Sequence, residues 1–329
     1  MNKTLPFWSY LRFMLLNILN NESISLANSP NSGLLSTKLV TPKDNKAIIT
    51  ELEKQKIEVS SFQKSDPAPD NKTASWKINK VAVTISPQIF KAFVHGLIPG
   101  IRFKNFIEPG EAENIANSIK GYVEEYKNAP GVGRAGETLV EYPHDFDTYA
   151  ELAAILRDPN ISIPHRLELA DKITSFLSRN TGYNFKPLRN GSIELFWGLF
   201  RQINTGAGWH LDNVTKDSDA FKNRKAIFQG SGVLHIKTPK KGGETIMVDR
   251  REQEGDELFL NADGWTYNEK MLNGIWNETV PCVAGDLVFL STLNYHTVKP
   301  CIEVGAERIS FSMFFVIFED EPNVIYYYN

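Results

Sequence analysis

From Asn180 to Phe318 the chain offers one short extended segment after another, and this limits its fold more than any other feature. Ser192 to Asn204, Gly232 to Lys237, Glu244 to Asp249, Glu278 to Val283, Asp286 to Ser291, His296 to Ile302 and Glu307 to Phe318 have strand lengths and apolar or alternating patterns. Lys240-Lys241-Gly242-Gly243, Ala284-Gly285-Asp286 and Val304-Gly305 punctuate them as turns. Upstream the period is helical. Helices are predicted from Glu108 to about Lys127, over Tyr149 to Arg157, and over Pro164 to Arg179. Leu169, Ile173, Phe176 and Leu177 give the last of these its buried face. Val81 to Ile85 and Ile101 to Ile107 read as strands, with Ile101 and Phe103 facing inward. Helices first and many antiparallel strands after predict an α+β domain with a double-stranded β-helix (jelly-roll) core and flanking N-terminal helices. The helical part is expected over 108–180 and the jelly roll over 190–320.

Residues 1–80 read as an N-terminal extension of unknown role, ahead of a main domain over 81–329 that starts near Trp76. One helix is predicted there from Pro42 to Lys56, with Thr41 as its N-cap. Ser60 to Ser75 is polar, carries two prolines and reads as a linker. Phe7 to Leu19 is apolar but too short to span a bilayer, and Arg12 interrupts it. No stable membrane insertion is expected, and a secretion signal is disfavoured without being removed. Three roles stay open for the extension: capping the jelly roll, mediating a homodimer, or partial disorder. A net charge of −3 with no basic stripe gives nucleic acid nothing to hold. Cys282 and Cys301 are the only cysteines, which predicts reduced thiols and a cytoplasmic location.

Chemistry concentrates at Gly208-Trp209-His210-Leu211-Asp212-Asn213. In an extended segment the side chains of His210 and Asp212 share a face, and together they offer two ligands to a divalent metal. A further histidine would complete a facial triad. His296 follows the strong strand Asp286 to Leu290 and is the preferred third ligand. His235 competes, but a lone histidine in an apolar strand is more often a satisfied core residue. His95, His144 and His165 are read as structural. A bare His-x-Asp is weak by itself, and the alternative is a surface pair. Arg308 and Ser310 strengthen it, because they share strand parity and suit the distal carboxylate of a dicarboxylate. Alone, Arg308 would read as a strand-edge ion pair. If buried at the head of Ile309 to Phe315, it needs an anion.

The second half resembles the iron(II)/2-oxoglutarate-dependent oxygenases, in their prolyl-hydroxylase-like branch. The matching residues are His210-Leu211-Asp212, Gly242-Gly243-Glu244-Thr245, Gly285-Asp286-Leu287-Val288-Phe289, His296-Thr297-Val298-Lys299-Pro300, Gly305 and Arg308-Ile309-Ser310. Ile107-Glu108-Pro109-Gly110-Glu111 resembles the family's strand-to-helix junction, so the likeness covers about residues 100–318. It implies Fe(II) on His210, Asp212 and His296, with 2-oxoglutarate and O2 as cosubstrates and Arg308 with Ser310 on the far carboxylate. It further implies hydroxylation of an unactivated C–H in a small metabolite, an amino-acid derivative or natural-product intermediate, with release of succinate and CO2. Related halogenases replace the carboxylate with a small residue, so Asp212 disfavours halogenation. Desaturation, cyclisation and oxidation of a protein side chain such as proline stay open as alternatives. Trp209, Asn213, Trp265, Tyr295 and Phe314 are the candidate substrate contacts. Two inserts, Val214 to Gly230 and Arg250 to Trp276, read as lids, with Trp265 and Tyr267 placed to close over a bound molecule.

Overall fold

A computed structural model of the chain describes residues 76–78, 80–126, 129–158, 161 and 163–329. Contacts divide the chain into two units, Met1–Ala47 and Ile48–Asn329, and every described residue belongs to the second. The helix expected over Pro42 to Lys56 and the apolar run Phe7 to Leu19 lie outside the described residues.

Helix α1 (Pro87–Val94) leads into β1 (Gly100–Phe103), and α2 (Pro109–Ile119) into β2 (Glu124–Tyr126) and β3 (Ala129–Ala135). Two helices follow, α3 (Phe146–Arg157) and α4 (Arg166–Thr181). Then come β4 (Asn184–Pro187), β5 (Arg189–Asn190), β6 (Ile193–Glu194), β7 (Leu199–Ile203) and β8 (Ala207–His210). After the short helix α5 (Val214–Asp217) the chain runs through β9 (Ala226–Lys237), β10 (Thr245–Arg251) and β11 (Asn277–Val280). It ends with β12 (Leu287–Ser291), β13 (Asn294–Val298), β14 (Ile309–Phe318) and β15 (Val324–Tyr328).

Two large sheets result. The nine-stranded one runs β1-β12-β9-β14-β7-β3-β2, with β15 beside β14 and β4 beside β15. All its pairings are antiparallel except β15 with β4. The four-stranded one runs β11-β10-β13-β8, antiparallel throughout. Both belong to one core. Trp76, Met247 and Val280 pack with Val288 and Leu290 of β12, so burial of these apolar groups joins the small sheet to the large one. Trp76 is also fixed by its backbone N–H, which donates to Asp249 Oδ2 at 3.0 Å. Helix α2 covers β9 with a face of Ala112, Ile115, Ala116 and Ile119. On α4, Leu169, Ile173 and Leu177 are buried while Phe176 is only half-buried, edge-on to Phe103 and Phe106.

The structure corrects several expectations. The helix from Glu108 stops at Ile119 and not near Lys127. Gly121 weakens a helix there, and Val123 and Tyr126 suit the extended chain that becomes β2. The span 108–180 is therefore not wholly helical, since β2 and β3 lie inside it. Val81 to Ile85 forms only a bridge from Ala82 to Ile101, because Ser86 caps Ile89 N–H and Pro87 opens α1. The sheets also reach beyond 190–320, taking in β1, β2, β3, β4 and β15. The first insert is short, because β9 already begins at Ala226.

Candidate metal centre

β8 is the edge strand of the small sheet, and its last residue, His210, lies directly opposite His296 of β13. Directly paired residues point to the same face, so the register alone sets two imidazoles side by side. Their ring centroids are 4.2 Å apart. Asp212 lies beyond the strand, where its N–H donates to the carbonyl of Thr292 at 2.9 Å, in the turn between β12 and β13. Asp212 therefore reaches the site through a loop bond and not by continuing the strand. Its Oδ2 is 3.5 Å from His296 Nε2. One ligand atom from each of His210, Asp212 and His296 lies within 4.8 Å of the others.

The donor set fits a divalent metal. His210 Nδ1 faces its neighbour's carbonyl, Gly208 O, at 2.7 Å, and His296 Nδ1 faces Asn294 O at 3.0 Å. A carbonyl only accepts, so each Nδ1 carries the proton and each Nε2 keeps a lone pair. Burial, then the adjacent His296, lowers the pKa of His210 to about 4, which keeps it neutral. Burial works to raise Asp212, but the adjacent His296, then His210 and Arg201, outweigh it and hold the carboxyl below its usual range. Two imidazoles presenting Nε2 and one ionised carboxylate suit a metal with open positions for small ligands. Just beyond, Asp217 is pushed up to about 7 by burial and then by Asp212.

Facing this centre is the inner side of the large sheet. Arg308 immediately precedes β14 and is buried, at 2% exposure. Its Nε donates to Gly243 O at 2.9 Å, and its backbone N–H to Asn204 Oδ1 at 2.9 Å. Among the described residues it makes no ion pair, so a guanidinium is buried without a carboxylate. The Gly242-Gly243 turn makes room for it. Both glycines have positive φ, and a Cβ on Gly242 would meet Pro300 O at 2.0 Å. Ser310 is buried and pairs with His235 of β9 and with Arg201 of β7. His235 lies outside the metal group. Its Nδ1 contacts Cys282 Sγ at 3.5 Å, and burial, then Arg308 and Arg102, drives its pKa well below the usual value. It is a neutral, buried neighbour of Arg308.

The structure sorts the candidate substrate contacts. Trp265 stands edge-on to the His210 ring at 5.2 Å and is 52% exposed. Phe314 stacks on Tyr328 at 5.5 Å, with Arg201 over its ring at 5.8 Å. Tyr295 is a correction. It neighbours His296 in β13, so it points to the opposite face, is fully buried, and donates its hydroxyl to Asp256 at 3.0 Å. Trp209, next to His210, packs into the same cluster of Val248, Leu272 and Tyr295 together with Tyr267. Asn213 caps α5, accepting from Thr215 N–H. Trp209, Tyr267, Tyr295 and Asn213 thus shape the site from behind. Arg201 was not among the sequence candidates. The signal for it was a charge at the centre of Leu199 to Ile203, with the same parity as two apolar residues.

No protein-family model matches the chain. It is 27% identical over 174 residues to an L-gamma-glutamyl-L-propargylglycine hydroxylase of Streptantibioticus cattleyicolor, covering 53% of this chain and 61% of that protein. The match therefore spans about three-fifths of that relative's length. The crystal structure of an N-substituted L-amino acid dioxygenase from Burkholderia ambifaria AMMD aligns at a TM-score of 0.50 and 15% identity, over 73% of this chain and 89% of that one. A structure of such a dioxygenase from the same organism in complex with alpha-KG gives 0.50 and 16% over the same shares. These likenesses show a shared fold.

Proposed function

We propose that the chain is an iron(II)- and 2-oxoglutarate-dependent oxygenase that hydroxylates an unactivated C–H of a small amino-acid derivative and releases succinate and CO2. One observation carries the reading. A three-ligand centre with free Nε2 atoms stands on the small sheet, and the large sheet carries a buried guanidinium that has no carboxylate partner among the described residues. His210, Asp212 and His296 would hold the metal, and Arg308 with Ser310 would take the distal carboxylate of 2-oxoglutarate. When bound, iron would activate O2 for C–H hydroxylation, with 2-oxoglutarate giving up two electrons as it becomes succinate and CO2.

The chain's own residues supply position and polarity. Gly208 O and Asn294 O fix the two imidazoles in the tautomer that leaves Nε2 free. The Thr292 carbonyl keeps Asp212 beside them. Arg308, Ser310 and His235 are all buried, which would keep water from the far end of the cosubstrate. Trp265 covers the His210 side and narrows the approach. The named activity of the Streptantibioticus relative, on a γ-glutamyl amino acid, supports the substrate class. We take residues 81–329 as the oxygenase domain, with Trp76 packed into it, and place the reaction in a reducing compartment, since Cys282 and Cys301 are both free thiols. Among the described residues no helix is long and apolar enough to cross a membrane.

Anaerobic mixing with Fe(II) and 2-oxoglutarate is expected to give a weak visible charge-transfer band. Aerobic incubation with L-γ-glutamyl-L-propargylglycine and with N-substituted L-amino acids is expected to stimulate succinate release. Absence of both signals would refute the reading.

A further inference from the structure

The inner face of the large sheet carries a second guanidinium that the mechanism above leaves unused. One row of paired residues crosses β3, β7, β14 and β9: Arg134, Arg201, Ser310 and His235. Residues paired in this way project to a single face, so Arg201 shares the side of Ser310 and of the cosubstrate pocket. Its neighbour on β3 shows what it lacks. Arg134 is buried and ion-paired to Glu137 at 2.9 Å and to Glu141 at 2.5 Å. Arg201 is partly buried and, among the described residues, makes no ion pair and no hydrogen bond through its side chain. Its guanidinium lies over the ring of Phe314 at 5.8 Å, Phe314 in turn stacks on Tyr328, and the Glu141 carboxyl, ion-paired to Arg134, is near enough to feel its charge. Arg201 lies close enough to the metal centre to lower the pKa of both His210 and Asp212. A guanidinium held over an aromatic platform, half out of water and facing a metal centre, is built to receive an anion.

We propose that Arg201 anchors a free carboxylate of the substrate, with the Phe314 face packing the carbon next to it. The oxygenase would then select substrates bearing an unblocked carboxylate, and Arg308 and Arg201 would divide two anions, cosubstrate and substrate, between them. The proposal rests on the oxygenase reading and names the substrate chemistry of that same site.

The experiment separates the two. The anaerobic Fe(II) and 2-oxoglutarate band of the wild-type chain is recorded first, and its absence would count against the oxygenase reading. Calorimetric titration with γ-glutamyl and N-acyl L-amino acids, each beside its C-terminal amide, then tests the anchor without turnover. At least one acid is expected to bind the wild type about 10- to 150-fold more tightly than its amide, the range of a charge-assisted pair. Arg201→Gln is expected to erase that preference, and Arg201→Lys to restore part of it. Circular dichroism checks that each variant is folded. The proposal is overturned if no acid is preferred over its amide by the wild type, or if Arg201→Gln keeps the preference. It is likewise overturned if Arg201→Gln weakens 2-oxoglutarate and leaves the acid's affinity unchanged.

Discussion

The two sheets bring opposite kinds of group to one space. The small sheet offers two imidazoles and a carboxylate drawn within 4.8 Å. The large sheet offers guanidiniums spread along its inner face, Arg308 just before β14 and Arg201 opposite Ser310. A metal needs its ligands to converge closely, and direct strand pairing of His210 with His296 achieves that from short side chains. Anion recognition tolerates distance, because an arginine reaches across several ångströms and presents its donors as a planar fork. The difference shows how one inter-sheet space can be precise at one wall and adaptable at the other.

That division can be attacked first at the small sheet. His296→Ala removes a donor and should lower Fe(II) or Ni(II) affinity by more than ~100-fold, since losing a mere supporting partner of a ligand costs about 10- to 100-fold. Calorimetry checks it, and an unchanged affinity would move the centre away from β13. On the opposite wall, Arg308→Gln should raise the 2-oxoglutarate needed to half-develop the charge-transfer band by about 10- to 150-fold. A metal affinity that fell equally would erase the distinction between the walls.

Acid should expose the same contrast in the metal-free chain. His210 is neutral in the fold, with its pKa lowered from 6.5 to about 4, so the unfolded chain protonates first. Folding stability should therefore fall as pH drops from about 6.5 to about 4, then stop changing on this account. His235, also held well below its usual value, adds to the slope in the same direction. Melting temperatures across that window should fall less steeply in His210→Gln, and an unaltered slope would argue against a neutral imidazole in the fold. Smaller effects separate the back of the small sheet from its front. Tyr295→Phe leaves the buried Asp256 short of a donor and should cost about 1–3 kcal/mol in urea unfolding. Trp265→Ala, at an exposed position, should cost less than ~0.5 kcal/mol. It should nonetheless raise the substrate KM.

Much of the small sheet was legible in sequence, because β10, β11 and β13 are short and glycine-bearing turns such as Gly242-Gly243 and Ala284-Gly285-Asp286 lie beside them. The His210, Asp212 and His296 grouping was legible as a spacing and a strand order, although Asp212 arrives by a loop bond that parity does not describe. What parity did offer went unused. Tyr295 and Trp209 each neighbour a candidate ligand, and alternation turns such neighbours away from the metal. The outer strands of the large sheet were hidden for another reason. β3 pairs with β7, and β15 with β4, far away in sequence, and the chemistry of a distant pairing partner leaves no local mark. Arg201 escaped notice in the same way, since its meaning comes from Ser310 on one side and Arg134 on the other.

The pairing of His210 with His296 makes the centre a reporter of assembly. Slipping β8 by a single residue against β13 would turn His210 to the opposite face and put Trp209 in its place. An ion retained there would hold an edge strand to a partner formed much later in the chain, favouring the correctly registered state by mass action. Loading the site would thus act as a clasp on sheet registry as well as a preparation for catalysis.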